Sequence, residues 1–433
     1  MSEAAPPSVS FGEALRVWFK IGCLGFGGPA GQIALMHRVL VDEKKWVEES
    51  RYLHALNFCM LLPGPEAQKL ATYVGWLLHG TKGGLAAGIL FVLPGALVML
   101  AVSLLYVLGS GVPVIEGALF GIKAAVLVIV VEALIRIGRR SLKTGLLIAI
   151  AALAFVGIFF LDLPFPAIVV AAALTGFFLI EDQKPHTASP PTAGRWRQAG
   201  TALAVGLVLW WTPVLFAVVL LGSTHVLVDI GVFFSKLATV SFGGAYALLS
   251  YMAQEAVETY HWMSAPEMVD GLGLAETLPG PLIKVTQFVA FLGAWRNPSP
   301  LSPLASGVLG SMLATWVTFT VPMLLIFIGA PFVEQLRANR RLSGALNAIT
   351  AAVVGVILNL TLWFALHVLF AAVQEMRAGP LRWYAFDPFA LDLKTAALAL
   401  VAAVLAFRLH RSLLEMVAIM AALGVAVRLL LGA

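Results

Sequence analysis

Three landmarks recur in this chain at one spacing. Phe26 and Phe242, Trp46 and Trp262, and the turns Pro63-Gly64-Pro65 and Pro279-Gly280-Pro281 all stand 216 residues apart. Lys20 and Lys236 keep the same spacing. Further along the offset widens to 227, where "IKAAVLVIV" (Ile122–Val130) returns as "ITAAVVGVI" (Ile349–Ile357). Separate landmarks in one register mark an internal duplication, and a duplication constrains the architecture before any single helix is assigned. A polar, proline-bearing stretch, Glu181–Gln198, divides the copies and reads as a solvated loop. The expected organisation is a first repeat over 1–180, a linker plus an extra hydrophobic helix over 181–222, and a second repeat over 223–433.

Each copy is apolar for most of its length. Charged residues make up 12% of the 433-residue chain and hydrophobic ones 60%, with a mean hydropathy of +0.93. Soluble domains carry roughly 25% charged residues. Many windows reach the ~18–20 apolar residues that span a bilayer. The expected fold is therefore an all-α polytopic membrane protein embedded in a lipid bilayer. The start, "MSEAAPPSVS", has no basic region or cleavage pattern, so no signal peptide is expected. Cys23 and Cys59 lie inside apolar stretches without metal-ligand or disulfide spacing. His37, His54, His79 and His261 are not spaced as a metal site either, and no cofactor is expected. A formal charge of +5 suits cytoplasmic loops and gives no basis for a nucleic-acid partner.

Two segments in each half are interrupted. Segment A (Phe11–Leu40) contains "GFGGP" and segment B (Tyr52–His79) contains "PGP"; A′ (Asp229–Met252) and B′ (Pro266–Trp295) repeat the plan. Trp46 and Trp262 beside their loops read as interfacial anchors. Arms of about 11–14 residues are too short to cross ~30 Å at 1.5 Å per residue, so each interrupted segment is expected to be re-entrant. With the N-terminus in the cytoplasm, 17 lysines and arginines then fall in inside loops and 5 in outside loops, as the positive-inside rule requires. This gives about 9 full crossings plus 4 re-entrant elements, or up to 13 hydrophobic segments if all cross. Either count makes the halves enter from opposite faces, an inverted-topology repeat with broken helices.

A helix that starts inside the membrane points unpaired N–H groups and the positive end of its dipole at whatever lies there, which favours an anion. Proline stops one arm and suits the first turn of the next, and glycine admits close approach. Candidate anion-binding positions are thus Gly27, Gly28, Pro63, Gly64 and Pro65, with Gly243, Gly244, Pro279, Gly280 and Pro281 in the second copy. Lys69 and Lys284 follow the two Pro-Gly-Pro turns, and Lys20 and Lys236 precede the Gly-Gly breaks. Lys123 also lies in an apolar stretch. A lysine at a helix centre costs roughly 2.5–3.5 kcal/mol unless paired or hydrated. Glu66, Glu276 and Glu132 are carboxylates in similar surroundings, open to carrying a proton or to static pairing with a lysine.

The paired motifs "FGGPAGQIALM…W…LPGP" and "FGGAYALLSYM…W…LPGP" resemble the chromate ion transporter family, in its long form with two fused homologous domains. The resemblance implies active efflux of chromate across a bacterial inner membrane, driven by the proton motive force and conferring chromate resistance. It also implies halves of opposite orientation. It places the family motif at Phe26, Gly27, Gly28, Pro63, Gly64, Pro65, Phe242, Gly243, Gly244, Pro279, Gly280 and Pro281. Alternatives are sulfate or another oxyanion, in the uptake direction as well, and a membrane-embedded enzyme using Glu66 or Glu276 as a base. A homodimer is one assembly compatible with the family.

Overall fold

The computed structural model describes residues 9–109, 111–180, 193–242, 245–332, 340–370 and 372–431. Gly243, Gly244 and most of the polar linker lie outside the described residues. The chain is built almost wholly of helices. Six of them, among the described residues, are long and apolar enough to cross a membrane: Glu66–Leu108, Pro113–Ser141, Trp196–Leu221, Pro303–Gly329, Arg341–Leu369 and Leu413–Leu430. Gly145–Phe159 and Phe165–Leu179 are apolar but shorter. At 15 residues each, they rise ~22 Å and fall short of a ~30 Å hydrocarbon layer. The protein is a multi-pass membrane protein.

The interrupted segments are broken as expected. Helix α1 (Phe11–Leu24) gives way to α2 (Gly28–His37), and α3 (Glu49–Leu61) to α4 (Glu66–Leu108). Non-helical backbone at His79 and Gly80 kinks α4, so its first arm is a half-length helix. The second copy repeats this with α9 (Val226–Thr239), α10 (Ala245–Gln254), α11 (Ala265–Thr277) and α12 (Val285–Arg296).

The duplication extends to individual hydrogen bonds. Lys44 N–H donates to the Val39 carbonyl at 3.0 Å and Trp46 N–H to Leu40 at 2.8 Å; Tyr260 donates to Glu255 and Trp262 to Ala256, each at 2.8 Å. The residue before each tryptophan is left-handed, Lys45 at φ 53° and His261 at φ 51°. These turns fold the chain back, and the indoles are buried, Trp46 to 6% exposure and Trp262 to 2%. The expectation that they are interfacial anchors is therefore corrected: they are packing residues.

Two compact units form, and each draws on both halves of the sequence. One comprises 1–100, 184–244 and 278–339; the other comprises 101–183, 245–277 and 340–433. In the first, α13 (Pro303–Gly329) packs on α8 (Ala193–Leu221), α9 and α12. In the second, α14 (Arg340–Leu369) packs on α5 (Pro113–Ser141), α6 (Gly145–Phe159) and α7 (Phe165–Leu179). There α16 (Leu413–Leu431) lies along α5, also beside α15 (Leu393–Ala403). Small residues let these backbones approach: a Cβ on Gly121 would lie 1.8 Å from the Met420 carbonyl oxygen and one on Gly424 2.2 Å from that of Gly117. Close contact through glycine is how helices associate without a hydrophobic driving force in lipid.

One element departs from the all-α expectation. Residues 373–386 form an antiparallel hairpin, β1 (Val373–Ala378) and β2 (Leu381–Phe386), turning at Gly379 with φ 59°. Aromatic residues in "LRWYAF" favour a strand, and the charges of the hairpin interrupt the apolar run a spanning helix needs.

Candidate functional site

The breaks have backbone shapes that dictate their residues. Gly25 caps α1; Gly27 and Gly28 then take φ 85° and 67°, which glycine adopts without cost. Pro29 sits in the first turn of α2, where its missing N–H is not needed. Gly64 and Gly280, at the centres of the Pro-Gly-Pro turns, have φ 105° and 93°. After the first turn α4 starts directly, with Lys69 N–H donating to the Pro65 carbonyl at 3.1 Å. After the second, a tighter 3-10 turn, Leu282–Lys284, precedes α12, and Lys284 N–H donates to Pro281 at 3.0 Å.

The Pro-Gly-Pro turns make crossed bonds to the other copy. Gly64 N–H donates to the Ser241 carbonyl and Gly280 N–H to the Gly25 carbonyl, both at 2.9 Å. Gly25 and Ser241 are equivalent in the repeat, as are Gly64 and Gly280. Each Pro-Gly-Pro turn therefore bonds to the residue two before the Gly-Gly pair of the other copy. Two glutamines that are not equivalent in the repeat add bonds between the copies: Gln68 Nε2 donates to Phe319 of α13 at 3.1 Å, and Gln287 Nε2 to Ala96 of α4 at 2.8 Å. The glycine pair is reciprocal, which is what a two-fold relation between repeats produces.

The lysines after the turns are buried within this crossing. Lys69 and Lys284 are each 1% exposed. Lys69 Nζ donates to the Leu62 carbonyl; Lys284 Nζ donates to Leu278 at 3.0 Å and Gly280 at 3.1 Å. Leu62 and Leu278 are equivalent in the repeat, but the lysines are not: Lys69 aligns with Val285, and Lys284 with Gln68. The 3-10 turn, with fewer residues per turn, brings a lysine one position earlier to the same carbonyl. Both ammonium groups thus sit at the end of one arm and one turn into the next.

Gln32 completes the network and was not singled out from the sequence. It is 1% exposed, and its Nε2 donates to Gly25 at 3.0 Å and Gly280 at 2.7 Å. Its signal was available: a glutamine within the first "FGGPAGQ" where the second copy has Leu248. The two half-sites are therefore unequal.

The other expected residues are spread more widely. Lys20 and Lys236 lie on exposed faces of α1 and α9. Glu66 begins α4, half-buried. Glu276 is buried near the end of α11. Glu132 is exposed on α5 and pairs with Arg136 at 3.7 Å. The glycines also divide. A Cβ at Gly28 would meet nothing within 4 Å, whereas one at Gly64 would lie 2.6 Å from the Pro322 side chain, and at Gly280 3.5 Å from the Gly95 Cα. Room for a ligand lies at the Gly27-Gly28 break; the Pro-Gly-Pro glycines meet protein. A cavity of about 960 Å³ borders Gln68 and Gln287, but its walls along α4, α8 and α13 are mainly apolar and offer a dianion little.

Comparison with known proteins follows the same two-copy pattern. The family described as Chromate transporter matches residues 12–177 and again 228–427. The chain is 34% identical over 366 residues to the chromate transport protein of Pseudomonas aeruginosa, covering 82% of this chain and 81% of that one. It is 28% identical over 351 residues to a probable chromate transport protein of Synechococcus elongatus, covering 81% and 84%. A shorter relative, the transporter YwrB of Bacillus subtilis, is 30% identical over 144 residues, which is 32% of this chain and 72% of YwrB. No solved structure matches the chain.

Proposed function

The chain belongs to the chromate transporter family, and we propose that it moves chromate, a tetrahedral dianion, across a bacterial inner membrane through the crossed helix breaks. Transport runs outward, draws on the proton motive force and confers chromate resistance. The observation that carries this is the pair of fully buried lysines, Lys69 and Lys284, each beside a helix start within one crossing. Two buried ammonium groups and several helix N-termini create a positive field that suits an oxyanion. The open Gly27-Gly28 break offers backbone approach to it. Lys20 and Lys236, being exposed, add long-range attraction at most. Inverted, re-entrant arms give each membrane face its own way into the crossing, which alternating access requires.

Radiolabelled chromate flux into proteoliposomes tests this, with sulfate and molybdate as competitors and an imposed pH gradient. Saturable, gradient-driven chromate flux is expected. A Lys284→Met variant should raise the apparent KM roughly tenfold to a hundredfold, the worth of a charge-assisted contact. Flux no greater than in protein-free vesicles would overturn the proposal, and carriage of sulfate with no carriage of chromate would reassign the substrate.

A further inference from the structure

Resting on that proton-driven reading, we propose that the proton is carried by Asp270, in a membrane-embedded site formed with Lys123 and Tyr106. Asp270 lies on α11 and is 3% exposed. Its Oδ2 accepts from the Tyr106 hydroxyl at 2.8 Å and faces Lys123 Nζ at 3.2 Å. Its Oδ1 is buried with no hydrogen-bond partner. A buried carboxylate normally satisfies both oxygens, so one left bare is an exception that calls for a role. A proton is the smallest ligand it could take and fits without added space. The protein's own packing brings the pair together: Gly273, one turn along α11, would place a Cβ 2.3 Å from Ile122, the neighbour of Lys123.

The charge arithmetic makes this a switch. With Asp270 ionised, the cluster is neutral overall, one carboxylate against one ammonium. When hydronium gives a proton to Oδ1, water leaves, no covalent bond in the protein breaks, and the ionic contact to Lys123 is lost. Lys123 is then an uncompensated cation whose side chain is 27% exposed, so it can turn outward or attract an anion. Proton binding on Asp270 thereby raises the positive charge of this cluster by one unit.

The surrounding charges leave Asp270 with these partners. On its own helix Glu267 acts on it at longer range. From α5 comes Lys123; Glu116 on that helix pairs with Arg428 of α16, and Glu132 with Arg136. Glu415 of α16 pairs with Arg411. Arg341, at the start of α14, lies over Phe177, and His367 bonds to the Trp363 carbonyl. Of the carboxylates expected from sequence, Glu132 is exposed and Glu66 half-buried, while Glu276 is buried near the end of α11.

The test uses full-length protein in proteoliposomes loaded with a pH dye. Asp270→Asn is expected to fold, to keep its thermal shift with chromate, and to lose both dye-detected proton movement and the extra chromate accumulation that the gradient drives. Infrared difference spectra of the unmodified protein should show a protonated-carboxyl stretch that changes with pH and is absent from Asp270→Asn. Should the single variant fail to fold, Lys123→Met/Asp270→Leu removes both charges, which apolar packing tolerates. Proton movement coupled to chromate in any folded variant lacking Asp270, or coupling to sodium without pH response, would overturn the assignment. Loss of chromate binding and flux in the unmodified protein would instead overturn the transport reading itself.

Discussion

The two central glycines look interchangeable in sequence and are not so in the fold. Gly64 and Gly280 share a left-handed backbone, and an alanine at either costs about 1–2 kcal/mol on that account. At Gly64 the added methyl would also press on Pro322 at 2.6 Å, while at Gly280 the nearest atom is 3.5 Å away. Overpacking of that kind adds about 1–3 kcal/mol. Thermal melting of the purified variants should therefore show Gly64→Ala as the more damaging change. Equal losses, or a larger loss in Gly280→Ala, would contradict the packing at Pro322. The turns themselves were legible, since Pro-Gly-Pro in an apolar stretch has few other uses. Their partners were not, because a bond from Gly64 to Ser241 depends on docking between distant segments. Asp270 stands between Glu267 and Glu276, and nothing in the sequence separates it from them. Only its burial and its unpartnered oxygen set it apart.

At the scale of elements, the hairpin β1–β2 does the work of a helix cap. Arg382, 2% exposed, donates to the Ile158 carbonyl at 2.7 Å and the Phe159 carbonyl at 3.4 Å, at the end of α6. It also pairs with Asp162 at 2.8 Å and Glu258 at 3.4 Å. A cation on the last carbonyls of a helix satisfies orphan acceptors and opposes the dipole. Glu258 lies in the turn after α10, outside the six spanning candidates. Burial pushes its carboxyl up to about 7; Arg382 and Arg377 oppose this, while Glu375 and Asp162 add to it. The folded protein thus holds this proton more tightly than the unfolded chain. Its contribution is greatest while the group is protonated and falls as pH rises from the ordinary carboxylate range through about 7. The melting temperature should decline over that window, and Glu258→Gln should flatten the decline. An unchanged decline in Glu258→Gln would move the effect to another group. The hairpin's place against α6 was not legible in the sequence, since Arg377 and Arg382 resemble ordinary loop charges there.

Across the whole molecule, duplication in sequence and compactness in space divide the chain differently. The repeats run one after the other, yet each compact unit takes pieces from both. The reciprocal pairs Gly64–Ser241 and Gly280–Gly25 show why: each Pro-Gly-Pro turn completes its hydrogen bonds with the Gly-Gly segment of the other copy. The proposed inversion needs an odd number of crossings before the second repeat begins, and the inserted helix α8 is what makes the number odd. A two-sided route for an anion depends on that inversion. Cysteines placed singly at Glu48 and Ser264, exposed and equivalent in the repeat, measure it directly once Cys23 and Cys59 are replaced. Inverted repeats predict that a membrane-impermeant thiol reagent labels one position in intact cells and the other only in inside-out vesicles. Labelling of both from the same face would contradict the inversion and the two-sided site built on it.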